Sequence, residues 1–132
     1  MKTGLTLPQA GKQATKENIA VKKAEREGFD SLWVFERLLY PMKPKNQYLG
    51  TPDGSLPIQY QSPRALRNSL SFVSTNTERI TLGTSVIDIL FHAPVILTKR
   101  LATLDILSGG RVIAGFGIGW SKDEFQASNI SF

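Results

Sequence analysis

Apolar and polar positions along the chain alternate between short apolar runs and longer stretches of helical period. Residues 3–7, Thr-Gly-Leu-Thr-Leu, predict a short first strand, and the polar stretch 9–14 that follows carries little periodicity. Thr15 stands where it can cap a helix over Lys16–Glu27. Ile19, Ala20 and Ala24 give that helix one packing face, and Gly28 suits the left-handed residue beyond a helix C-terminus. Ser31–Glu36 contains Leu32, Trp33, Val34 and Phe35 in succession, the pattern of a parallel strand covered on both faces. Residues 37–62 hold Pro41, Pro44, Pro52 and Pro57 besides Gly50 and Gly54. They read as a long loop whose Thr51-Pro52-Asp53-Gly54 segment has tight-turn chemistry. Loops of this length are commonly functional or disordered.

Ser62-Pro63 is a helix start, and Leu66, Leu70 and Val73 then recur at helical spacing until about Asn76. Ile80–Ile87 predicts the next strand. Pro94 opens a third helix with Leu97, Leu101 and Leu104 on one side, and Gly109-Gly110 stops it. Val112–Phe116 supplies a fourth strand, and Ser121-Lys122-Asp123-Glu124 has capping-box spacing at the start of a fourth helix, which Asp123 and Glu124 would serve. Four alternations of strand and helix predict an α/β class built of parallel (β/α) units, arranged as a barrel or as a doubly wound sheet.

The 132 residues, 41% hydrophobic and 20% charged, fit one globular domain. A net charge of +5 raises anionic partners, nucleic acid among them, but the basic residues are scattered. Lys16, Lys22 and Lys23 fit a solvated helix face and Lys43 and Lys45 a loop, and no recognition motif accompanies them, so no nucleic-acid partner is expected. With no cysteine, the fold rests on neither disulfides nor thiolate metal ligands. The first residues lack the apolar core of a secretion signal, and no apolar run reaches the eighteen or so residues that span a bilayer. The expectation is a cytoplasmic protein without membrane partners.

The one glycine-rich stretch, Gly115-Phe116-Gly117-Ile118-Gly119, follows the fourth strand. A dinucleotide fingerprint follows the first strand with different spacing, so it is excluded. Glycines at the end of a strand admit a ligand close to the backbone, or simply make a strand-to-helix turn.

Taken with its surroundings, this stretch resembles the luciferase-like family of flavin- and deazaflavin (F420)-dependent oxidoreductases. The resemblance is carried by Ala102-Thr103-Leu104-Asp105-Ile106-Leu107-Ser108-Gly109-Gly110-Arg111-Val112, the glycine-rich stretch with Trp120, and Asp123-Glu124-Phe125. Ala24-Glu25-Arg26-Glu27-Gly28-Phe29-Asp30-Ser31-Leu32-Trp33, the Thr51–Gly54 loop, and Glu78-Arg79-Ile80 leading to Leu82-Gly83-Thr84-Ser85-Val86 support it.

The resemblance implies a (β/α)8 barrel and FMN or coenzyme F420 as cofactor, with hydride-transfer or monooxygenase chemistry on a small-molecule substrate. It places Glu36 at an acidic position facing cofactor and substrate. Arg37 stands where the family usually has histidine, and a guanidinium stays protonated and cannot act as a base. Ser85-Val86 matches a strand-end bulge with a cis peptide against which the cofactor ring rests. Gly117, Ile118 and Gly119 match a loop that approaches the cofactor.

His92, the sole histidine, precedes the third helix at a position a barrel puts on its C-terminal rim. It reads as a catalytic acid or as a structural residue, and no second imidazole or thiolate accompanies it to hold a metal. Tyr40, Tyr48 and Tyr60 either border a substrate pocket or pack the long loop.

A complete barrel needs about 250 residues. The expectation is therefore one domain, 1–132, forming the N-terminal half-barrel. Val112, Ile113 and Phe116 would lie at an open edge, and self-association as a homodimer or higher oligomer would cover them. The rival reading is a half-barrel that serves association without catalysis.

Overall fold

A computed structural model describes residues 1–8, 17–61 and 66–132. In chain order these form β1 (Gly4–Thr6), α1 (Glu17–Arg26), β2 (Ser31–Val34), α2 (Leu66–Asn76), β3 (Thr81–Thr84), β4 (Ile87–Asp88), α3 (Pro94–Ser108), β5 (Val112–Ile113), β6 (Phe116–Gly117) and α4 (Lys122–Ala127). Strands β1, β2, β3 and β5 lie side by side in that order, all parallel, with Leu5 opposite Leu32, Leu32 opposite Leu82, and Leu82 opposite Val112. A doubly wound sheet reverses its strand order at a switch point, whereas a barrel adds each strand beside the last. The sequential order decides for parallel barrel-type (β/α) units, the α/β class read from the sequence.

The core lies between sheet and helices. Leu7, Leu32, Val34, Ile80 and Leu82 meet Val21 and Ala24 of α1, Leu70 and Val73 of α2, and Leu97 and Leu104 of α3, with Leu101 partly buried against them. One expected core position is wrong: Ile19 is 67% exposed, and α1 packs through Val21 and Ala24. Val21 lies two positions after Ile19, about 200° round a helix of 3.6 residues per turn, so they cannot share a face. Gly28 and Gly109 adopt left-handed φ of 87° and 72° and end α1 and α3, and Pro94 opens α3. Thr15, Ser62, Pro63 and the side chain of Leu66 lie outside the described residues.

Both later strands are interrupted. Pairing stops after Thr84, the Ser85–Val86 peptide is cis, and pairing resumes at Ile87; opposite it, the last strand breaks at Ala114-Gly115. Thr84 Oγ1 accepts from Gly115 N at 2.7 Å and donates to Gly115 O at 2.9 Å, closing the gap. A Cβ on Gly115 would sit 2.3 Å from the Thr84 carbonyl oxygen, so glycine is required by the protein's own backbone.

Two polar brackets tie the layers. Arg111 donates from Nη1 to Thr77 Oγ1 and Ile80 O, from Nη2 to Ser74 O and Thr77 O, and from Nε to Ser108 O. It thereby joins the C-terminal ends of α2 and α3 to the start of β3. Glu25 on α1 accepts the backbone N–H groups of Glu78, Arg79 and Ile80 at 2.6–3.2 Å.

Burial works to raise the Glu25 pKa, but these three donors, helped by the Arg79 charge, together hold it below its usual 4.5. A depressed carboxyl contributes stability that is complete above the ordinary value and lost as pH falls through the folded one. We therefore expect Glu25→Gln to flatten the acid limb of stability below about pH 4.5. Urea midpoints measured from pH 7 to pH 3 check this, and an unchanged slope would refute the bracket.

Candidate functional site

The C-terminal ends of β2, β3 and the last strand converge on one rim, where parallel (β/α) folds gather their chemistry. Glu36 lies two residues beyond β2. Its N–H donates to Val86 O at 3.2 Å, and its Oε2 accepts the Asp88 N–H at 3.0 Å and meets His92 Nε2 at 2.8 Å. His92 reaches this carboxylate because the short turn Ile89–Phe91 folds the chain back before α3, with His92 N donating to Ile89 O. The structure therefore joins Glu36 and His92, 56 residues apart in sequence, into one half-buried pair.

Asp88, which sequence reasoning did not single out, belongs to the same cluster. Burial raises its pKa to about 6, with further upward pushes from Glu124 and Glu36 and opposing pulls from Arg37 and His92. For a carboxyl raised from 3.8, the stability contribution is fully present below that value and is lost as pH rises through about 6, opposite in sign to Glu25. The only signal available in sequence was its place four residues before His92.

Arg37 is not a misplaced proton carrier. Its buried guanidinium makes an ion pair with Glu124, Nη1 to Oε2 at 3.1 Å, and lies 4.5 Å from the Trp120 ring centroid and 5.6 Å from that of Tyr60. Among the described residues its nitrogens find no partner in hydrogen-bond geometry, so stacking and charge hold it.

The capping box is likewise corrected. Ser121 occupies the N-cap of α4 without a side-chain cap bond. Glu124 is fully buried instead, and its Oε1 accepts the N–H groups of Leu38 and Leu39 at 2.9 and 3.3 Å. Asp123 accepts from Lys45 N, Asn46 N and Asn46 Nδ2. Both carboxylates pin the long loop after β2 rather than serving their own helix, because unpaired loop donors compete for them and win.

Under that loop lies a cleft of about 590 Å³, bordered by Pro41, Pro44, Tyr48, Leu56, Trp120 and Phe132. Of the three loop tyrosines, Tyr48 borders it and packs on Trp120 at 4.8 Å. Tyr40 donates to Leu56 O, and Tyr60 packs between Phe35 and Tyr48. Glu36, Asp88 and His92 do not line this cleft; Trp120, stacked on Arg37, is the link between the two.

Val86 is half-exposed and Ser85 and Ile118 exposed on the rim. A Cβ on Gly117 would fall 2.5 Å from Val86 Cγ2, and Gly119 has a left-handed φ of 76°. The glycine-rich stretch is thus needed first by the protein's own packing, whatever else it meets. Among the described residues no group of three side chains could hold a metal ion, and no helix is long and apolar enough to cross a membrane.

Comparison with known proteins bears on the family and the fold. The family profile described as luciferase-like monooxygenase matches residues 3–132. An uncharacterized protein of Mycobacterium tuberculosis is 40% identical over 110 residues, which cover 80% of this chain and 38% of that protein. An F420-dependent glucose-6-phosphate dehydrogenase of Amycolatopsis mediterranei is 32% identical over 107 residues, covering 80% of this chain and 28% of the enzyme. In fold, the oxygenating constituent of 3,6-diketocamphane monooxygenase from Pseudomonas putida, solved with FMN, superposes with a TM-score of 0.75 at 16% identity over 98% of this chain and 33% of its own. The chain spans less than two fifths of the length of each of these proteins. The profile match runs over nearly the whole sequence and through both interrupted strands, and the chain belongs to the luciferase-like monooxygenase family.

Proposed function

We propose that residues 1–132 form one half-barrel domain of a flavin- or F420-dependent oxidoreductase that acts on a small-molecule substrate, with Glu36 and His92 as its proton-transfer pair. The observation that carries this reading is the 2.8 Å contact between them, beside the half-exposed Val86 on the strand-end rim. The residues present fit a flat, largely apolar ring. Val86 and Ile118 offer apolar surface, Gly117 adds no side chain beside Val86, and the polar groups gather to one side. Ser85, Val86, Gly117, Ile118 and Gly119 would border such a ring and Glu36 its polar edge. FMN or F420 would supply the hydride or oxygen chemistry when bound. The chain's own residues would position the substrate and exchange its proton: an imidazole held by a carboxylate at hydrogen-bond distance can take or give one near neutral pH.

A second reading is favoured by a separate observation. Among the described residues no strand pairs with the outer edge of β5 or of β6, and Ile113 and Phe116 on those strands are exposed. Such an edge invites strand addition, so the half-barrel would self-associate as a homodimer or larger assembly, with or without catalysis.

Titration of the purified chain with FMN and, separately, with F420 tests both readings, using fluorescence quenching for binding and light scattering for mass. Saturable binding to one cofactor at micromolar or lower concentration is the expected result. A folded oligomer that binds neither would sink the oxidoreductase reading and leave the association module.

A further inference from the structure

The cleft under the loop after β2 takes no part in holding the Glu36–His92 pair, yet it is a built site. Its volume of about 590 Å³ is that of a small-molecule site. Pro41, Tyr48, Leu56, Trp120 and Phe132 give it a wall that is chiefly apolar and aromatic, with Trp120 45% exposed. That wall is fixed by the protein itself. The Trp120 ring meets the Arg37 guanidinium at 4.5 Å and the Tyr48 ring at 4.8 Å, Tyr48 meets Tyr60 at 6.2 Å, and Asp123 holds the loop by the N–H groups of Lys45 and Asn46. A preformed wall binds with little ordering cost. The two charged residues on the lining are engaged: the Asp123 oxygens accept those loop donors and the Asn46 amide, and the Lys122 ammonium lies 5.0 Å from the Phe132 ring centroid. The Gln47 amide and the Ser121 hydroxyl, also on the lining, are the polar groups left to meet a ligand, Ser121 making no cap bond to its own helix.

We propose that this cleft binds an uncharged, ring-bearing apolar molecule with one hydrogen-bonding oxygen, an alicyclic or aromatic alcohol or ketone, and excludes sugar phosphates. The rings of Tyr48, Trp120 and Phe132 and the edges of Pro41 and Leu56 supply contact area for an apolar body. An ionised group would exchange water for an apolar wall whose one cation is exposed and lies over Phe132, and burying a charge without a partner is costly. A single neutral oxygen suits Gln47 and Ser121, since an amide and a hydroxyl can each give or accept a hydrogen bond. The cleft also adjoins the rim along the chain: Trp120 follows Ile118 and Gly119, and the Arg37 it stacks on follows Glu36. That the cleft is the substrate's subsite rests on the oxidoreductase reading; that it binds such a molecule does not.

The chain holds two tryptophans, so Trp33→Phe leaves Trp120 as the one indole reporter. Titrated with adamantanol, that variant is expected to show a saturable change in Trp120 emission at micromolar concentration. Adamantane carboxylate, the same cage with a charge, binds about tenfold more weakly or worse, and glucose-6-phosphate leaves the emission unchanged. Leu56→Asp, which sets a charge in the wall, weakens adamantanol by about tenfold. Calorimetric titration of the unaltered chain with the same three compounds is expected to give the same order, an arm that holds even if a variant does not fold. Absence of saturable adamantanol binding would overturn the proposal, as would a carboxylate bound as tightly as the alcohol, or a folded Leu56→Asp chain that binds adamantanol as the unaltered one does. FMN and F420 titrations of the same samples keep the two ideas apart: adamantanol binding without cofactor binding sinks only the oxidoreductase reading.

Discussion

Replacing Glu124 with alanine is expected to lower the unfolding free energy by about 3–5 kcal/mol, the range for breaking a buried ion pair from one side. The substitution leaves the Arg37 guanidinium buried beside Trp120 with no counter-charge and strips the Leu38 and Leu39 N–H groups of their acceptor. Both losses fall on the same few residues, so they do not add as independent terms. The double variant Arg37→Leu with Glu124→Gln recovers much of the loss: the amide oxygen still accepts from the loop and no charge is stranded. Urea midpoints at fixed slope measure both effects. A loss below about 1 kcal/mol in the single variant would mean that the pair is open to water and worth no more than a surface contact.

Arg111→Ala comes next in size. Five donor bonds from one guanidinium join α2, β3 and α3, and removing them leaves the carbonyls of Ser74, Thr77, Ile80 and Ser108 to find water or go unpaired. Net hydrogen-bond values of about 0.5–1.5 kcal/mol, higher where one partner is charged, put the expected loss near 3–5 kcal/mol. Arg111→Lys should recover little, because an ammonium cannot reproduce the fork that serves four carbonyls and a hydroxyl together. Thermal and urea unfolding of the three proteins checks this ordering; a lysine variant as stable as wild type would show that charge alone suffices.

These two residues show where sequence reading stopped. The order of elements was legible because parallel strands are apolar throughout, helices repeat at 3.6 residues, and glycine marks their ends: Leu32–Val34, Leu70 with Val73, and Gly28 and Gly109 all fell as expected. Ile19 misled because two apolar residues on opposite sides of a short helix look alike in a linear pattern. Arg111 was legible as part of a motif but silent about its role, which exists only once α2 and α3 end beside it. Ser121–Glu124 obeyed a local rule, yet its carboxylates face loop donors about 80 residues away in sequence. The Glu36–His92 contact was half legible, each residue flagged alone, and Asp88 carried no signal beyond its place four residues before His92. A single aspartate after a strand gains meaning only when burial gathers other carboxyls around it.

The loop after β2 divides into two mechanically different parts. Its first part is riveted to α4 at Leu38, Leu39, Lys45 and Asn46. Its tip closes on itself: Tyr48 N donates to Gly54 O, Gly54 N to Thr51 O, and Thr51 Oγ1 to Ser55 O. Length changes in the tip can therefore be absorbed without moving the riveted part, since lengthening an exposed loop costs little in closure entropy. The tip also supplies Gly54 to the lining of the cleft, while Glu36 sits upstream of every rivet. Insertions and deletions around Thr51–Gly54 would thus reshape the wall of the cleft while the rim at Glu36 stays in register, a division of labour that lets one scaffold diversify by its loop alone.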